Sequence, residues 1–158
     1  MKRFFIERFL LQAGLMLLCA LPLSAQEGPE QFKGWVYYET HHPSPHHELI
    51  RSEKALNEFR KRIPKHRPTK KKPAPAHDDP LAKEGRIDFS KYLLIVVSRN
   101  DTLSAYPVLT GVVETKEQVV LWFELPEPPP EAMPYGWGTY RAVLLPVQDK
   151  DYTVEFDN

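Results

Sequence analysis

The chain has 158 residues, a formal net charge of zero and a single cysteine, Cys19, which leaves no material for a disulfide framework. Sixteen prolines against seven glycines, and 42% apolar residues, indicate a small folded protein with stiff connections rather than a disordered one. The balanced charge conceals a segregation. Arg60 to Lys72 holds eight basic residues and no acid, whereas residues 73–158 hold seven basic and fourteen acidic ones, and residues 26–59 three and six.

Residues 1–25 follow the order of a secretory signal. Lys2, Arg3 and Arg8 precede an apolar core from Phe9 to Leu23, Pro22 breaks any helix, and Ser24-Ala25 offers the small residues of a cleavage site. The core is shorter than the roughly 20 apolar residues of a spanning helix and contains Gln12, so cleavage after Ala25 is expected, with retention as an anchor as the alternative. Cleavage would remove Cys19 and place a cysteine-free chain in the periplasm, the cell envelope or the medium.

Residues 26–63 form a first block. KGWVYYET is rich in aromatic and β-branched residues and reads as a strand, with Trp35 and Tyr37 on one face and Val36 and Tyr38 on the other. HHPSPHH reads as a loop, ELIRS as a short strand, and Ser52 as the cap of a helix from Glu53 to about Arg62. Leu56, Phe59 and Ile63 give that helix one apolar stripe. Residues 64–85, with Pro64, Pro68, Pro73, Pro75 and Pro80 among lysines and alanines, read as an extended, flexible linker that separates two subdomains or loops out of one.

Residues 86–158 form the more regular block. KYLLIVVS is a continuous apolar run, as in a strand buried on both faces, and Asn100-Asp101 supplies a turn. SAYPVLTGVVE, VVLWFEL, TYRAVLLP and DYTVEF read as four further strands. The stretch LPEPPPEAMPYGWG between the second and third of these is stiffened by prolines. The expected fold is α+β: a small, mainly antiparallel β-sheet, or a partly open barrel, with one helix.

The arrangement resembles the C-terminal domain of the protease-complex protein PrcB family, exported bacterial proteins. The resemblance is carried by IDFSKYLLIVVS (Ile87 to Ser98), the turn and Tyr106 after it, the hairpin through VVLWFELPEPP, the strand TYRAVLLP, and ELIRSEKALNEFRKRIP upstream. The chain departs from the family at Leu103-Ser104-Ala105 before Tyr106 and at Gly138-Thr139 before Tyr140, where the family tends to a glycine pair and to a proline. The resemblance implies a role in assembling or stabilising a protein partner, a protease among the candidates, with no catalytic residues.

The residues themselves offer three candidate sites. Tyr135 and Trp137 follow Pro129 and Pro130 in a connection where amphipathic rings suit partner binding, with packing of Trp137 over an open sheet end as the alternative. His41, His42, His46 and His47 supply four imidazoles within one short segment, a candidate zinc, copper or nickel site whose alternative is a solvated loop. The basic run Arg60 to Lys72 suits anionic envelope components, or a solvated tether. It lacks the interleaved aromatics that would stack on bases, so no specific nucleic-acid binding is expected.

An enzyme is not expected, and neither is an obligatory cofactor. All six histidines fall in the loop or the linker, where nothing orients them beside a nucleophile, and Glu114, Glu117, Glu124 and Asp149 read as solvated strand ends and turns.

Overall fold

A computed structural model describes residues 28–39, 44–69, 73–83, 85–130 and 135–157. Residues 1–25, read above as a signal, lie outside this set, as do His41 and His42. In chain order the elements are β1 (Gln31–Tyr37), β2 (His46–Ile50), α1 (Glu53–Arg60), β3 (Tyr92–Arg99), β4 (Val108–Glu114), β5 (Gln118–Glu124), β6 (Trp137–Pro146) and β7 (Asp151–Asp157). Among the described residues no helix is long and apolar enough to cross a membrane.

The strands form two separate sheets and do not close into a barrel. One has the order β1-β6-β3-β2 and is antiparallel throughout; the other has the order β4-β5-β7, with β4 antiparallel and β7 parallel to β5. The α+β expectation holds in its sheet form. Strand β3 explains the layering. Its run LLIVVSR is buried along its whole length, because alternate side chains serve two cores. Leu94 and Val96 join Val36, Leu56, Phe59, Leu81 and Tyr140 on the helix side. Leu93, Ile95 and Val97 meet Val119, Leu121, Phe123 and Val143 on the side of the second sheet. Each fully buried aliphatic or phenyl group of this kind contributes about 1.5–3 kcal/mol.

Helix α1 starts where its sequence says it should. Ser52 is extended, and its hydroxyl accepts the Ala55 amide at 3.2 Å, satisfying a donor that the first turn leaves unpaired. Leu56, Phe59 and Ile63 are buried, as the stripe predicts. The regular helix ends at Arg60, two residues earlier than expected, since the amides of Arg62 and Ile63 bond to Phe59 and Arg60, three residues back.

Two further expectations change, and one open alternative is decided. HHPSPHH is not wholly loop, because His46 and His47 open β2 and pair with Ser98 and Val97. The strand expected from Ser104 begins only at Val108. Before it, Thr102 Oγ1 accepts the amides of Ser104 and Ala105 in a tight turn, and Pro107 has no amide to give to a ladder. Residues 26–63 and 86–158 share one sheet, since β1 pairs with β6 and β2 with β3. Of the two arrangements open to residues 64–85, this pairing matches a segment looping out of a single unit. That segment contributes Leu81 to the helix-side core, and its backbone is tied by Arg67 N to Pro75 O and His77 N to Lys65 O.

Candidate partner-binding surface

The proline connection between β5 and β6 emerges beside Arg99, the last residue of β3. Arg99 is 4% exposed, so its charge needs local partners. Its Nε and Nη2 donate to the two carboxylate oxygens of Asp101 at 2.6 and 2.7 Å, and Nη1 donates to the Pro126 carbonyl at 2.6 Å. Hydrogen bonding to Arg99 holds the Asp101 carboxyl below its ordinary value of 3.8. One buried guanidinium thus fixes the start of the connection to the rigid sheet.

The other end is fixed by backbone. Gly136 has φ +79°, a conformation that side-chain-bearing residues rarely adopt, and its carbonyl accepts the Tyr38 amide at 2.7 Å. A Cβ at this position would also collide with the Tyr38 carbonyl oxygen. Between these anchors Pro129 and Pro130 are exposed, and Tyr135 is 70% exposed.

Trp137 is placed differently from the loop position read in sequence. It is the first residue of β6, paired with Tyr37 at the end of β1, and the two rings sit 5.6 Å apart and tilted by 58°. Trp137 is half-buried and Tyr37 remains 38% exposed. The structure therefore brings Tyr135, Trp137 and Tyr37 to one end of the four-stranded sheet, with Pro129 and Pro130 on the connection leading there.

The histidine segment does not come together in this way. His46 and His47 are consecutive residues of β2, so their side chains leave opposite faces of the strand. His41 and His42 lie outside the described residues. Among the described residues no three His, Cys, Asp or Glu side chains are grouped to hold a metal ion.

The basic run is divided. Arg60 donates to the carbonyls of Leu81 and Gly85 and to Glu53, and Arg62 donates to both oxygens of Glu48 while lying over the rings of Tyr38 and Phe59. Lys65 and Arg67 are exposed.

A buried polar cluster escaped the sequence reading. Asp79 is fully buried, and its Oδ1 accepts from the Tyr140 hydroxyl at 2.7 Å, the Leu81 amide at 2.9 Å and the Ala82 amide at 3.3 Å. His77 donates from Nδ1 to the Pro64 carbonyl at 3.1 Å, places Nε2 3.6 Å from Asp79 Oδ2, and packs its ring 4.6 Å from that of Trp35. Burial, with the Asp79 charge beside it, pushes the Tyr140 hydroxyl far above its usual range, so it remains a donor. The only advance signal was an Asp-Pro-Leu triplet at 79–81 inside an otherwise polar stretch.

Comparison of the chain with protein-family models, with characterised proteins and with solved structures returns no match, so the reading of function rests on this geometry and on the sequence.

Proposed function

We propose that the protein is an exported, non-catalytic domain that binds and stabilises a protein partner in the periplasm or cell envelope, through the end of the sheet formed by Tyr37, Tyr135 and Trp137. The observation that carries this reading is the 70% exposure of Tyr135 on a connection pinned at both ends, by Arg99 to Pro126 and by Gly136 to Tyr38. An aromatic held on a proline-stiffened segment loses little conformational entropy when it meets a partner. The resemblance to the PrcB family makes a protease one candidate partner.

The test separates anchoring from packing. A photo-crosslinking residue at position 135, in cells that make the protein naturally, should give a discrete adduct that the same residue at exposed Glu58 does not. Tyr135→Ala should abolish capture of the adduct's partner and leave the thermal midpoint unchanged. Trp137→Ala should weaken capture and also lower the midpoint, since its ring packs on Tyr37. Identical adducts from positions 135 and 58, or none from either, would sink the proposal.

A further inference from the structure

Four arginines are buried wholly or in part among the described residues, and three of them have carboxylate partners. Arg60 donates to Glu53, Arg62 to Glu48 and Arg99 to Asp101. Arg141 is the exception. Its Nε donates to the Pro107 carbonyl at 2.9 Å, and no carboxylate among the described residues pairs with it. Burial pushes its guanidinium below the usual range, and the Tyr106 phenol, rather than an acid, is what opposes that shift.

A second cation faces it. Lys33 of β1 is the direct register partner of Arg141 in β6, so both side chains leave the same face of the sheet, where like charges set opposite one another are destabilising. Lys33 is exposed and also has no carboxylate among the described residues; its Nζ lies 5.4 Å from the centre of the Tyr106 ring. The segment carrying Tyr106 is tied to this face by three rungs. Trp35 Nε1 donates to the Leu103 carbonyl at 2.8 Å, Thr139 Oγ1 to that of Ala105 at 2.7 Å, and Arg141 Nε to that of Pro107. Tyr106 is half-buried, and its hydroxyl has no hydrogen-bond partner among the described residues. Burial and the Asp79 charge raise that hydroxyl above its usual value while Arg67 and Arg141 pull it down, so both cations act on it and it stays a donor. The acids in reach are committed elsewhere. Asp79 lies on the opposite face of β1, beside Gly34, and accepts from Tyr140 and the Leu81 amide. Asp78 pairs with Lys83 at 2.7 Å.

An anion between Lys33 and Arg141 turns their repulsion into two attractions. Arg141 keeps its terminal nitrogens for a two-pronged contact, Lys33 brings a point charge on a flexible stem, and Tyr106 brings a hydroxyl donor. A carboxylate, with two oxygens and one charge, uses only part of this set. A terminal phosphate has three free oxygens and a charge of about −1.5 to −2 near neutral pH, which matches it. We infer that Lys33, Tyr106 and Arg141, with exposed Arg67 beside them, form a binding site for a terminal phosphate group. A small phosphate compound and the headgroup of a phosphomonoester lipid present the same oxygens to it.

Titration calorimetry of the purified protein with inorganic phosphate tests this, at an ionic strength held constant with chloride so that screening does not vary. Phosphate should bind saturably and raise the thermal midpoint, and acetate should bind about tenfold more weakly or worse. Lys33→Met keeps an apolar stem over the Tyr106 ring without the charge. It should cut phosphate affinity about tenfold while leaving the midpoint in chloride equal to the native value or above it, since the repulsion from Arg141 is gone. Arg141→Gln should lose at least as much affinity, and Lys65→Met, at an exposed cation outside the cluster, should lose none. Cosedimentation with phosphatidylcholine vesicles, with and without phosphatidic acid, distinguishes the sources. Retention on the acidic vesicles that Lys33→Met abolishes assigns the lipid headgroup, and phosphate binding without retention assigns a soluble compound. Equal affinity for acetate and phosphate, a native response in Lys33→Met or Arg141→Gln, or no binding in either assay would overturn the inference. So would a loss of affinity in Lys33→Met that accompanies a lower midpoint in chloride, which would make that lysine a structural residue.

Discussion

Gly34 and Asp79 occupy one another's space. A Cβ on Gly34 would overlap Asp79 Oδ2 and crowd the Tyr140 ring, so the small residue on β1 is what lets a buried carboxylate reach the sheet. Tyr140→Phe should therefore lower stability by about 1.5–3 kcal/mol in urea denaturation, the range for a hydrogen bond to a charged group. An unchanged midpoint would show that Asp79 has no need of the hydroxyl. A second residue-scale expectation concerns acid. Asp101 has a lower carboxyl value folded than unfolded, so its pairing contributes fully above the ordinary value of 3.8 and is lost as the pH falls through the folded value. Asp101 is half-exposed and the direct gain is modest, but its protonation leaves buried Arg99 with the Pro126 carbonyl as its remaining hydrogen-bond partner. Stability measured from pH 6 down to about pH 2.5 should drop more steeply in the native protein than in Asp101→Asn, and parallel curves would contradict this. The grouping of Gly34, Asp79 and Tyr140 was not legible in sequence, because the three are far apart in the chain and an Asp-Asp pair in a proline-rich stretch looks the same solvated or buried.

Helix α1 shows which elements the sequence does specify. Its cap, its stripe and its short length were all readable, since each rests on spacing within ten residues or so. At eight residues it is too short to persist alone, and its stability comes from Leu56 and Phe59 against the sheet. Ser52→Ala should cost about 1 kcal/mol, and Phe59→Ala about 3–5 kcal/mol, both read from thermal or urea unfolding; a larger loss at Ser52 than at Phe59 would reverse this assignment. The continuous apolar run of β3 likewise declared a strand buried on both faces. The parallel pairing of β5 with β7 did not declare itself, because neighbours in a sheet are chosen by whichever faces must be covered. The aromatic end of the sheet was half legible. Tyr135 and Trp137 stood out by composition, whereas Tyr37 joined them only through the β1-β6 register.

Across the whole molecule, the segment 64–85 and the interleaved strands set how the protein comes apart. Exposed Lys65, Arg67 and Lys83 make this segment the expected first site of tryptic cleavage. Because β1 and β2 pair with β6 and β3, the two fragments should remain together in gel filtration after the cut. A first cut within residues 86–158, or fragments that separate at once, would argue against this account. Strand β6 sits between β1 and β3, and Gln31 of the first strand meets Val143 of the sixth. During synthesis from the N-terminus, β1 has no neighbour in its sheet until β6 has been made. Before that moment only the β2-β3 and β4-β5 pairs can form, and both are open on at least one edge. A nascent chain with this strand order completes its four-stranded sheet only once β6 has been made, and its three-stranded sheet only once β7 has followed.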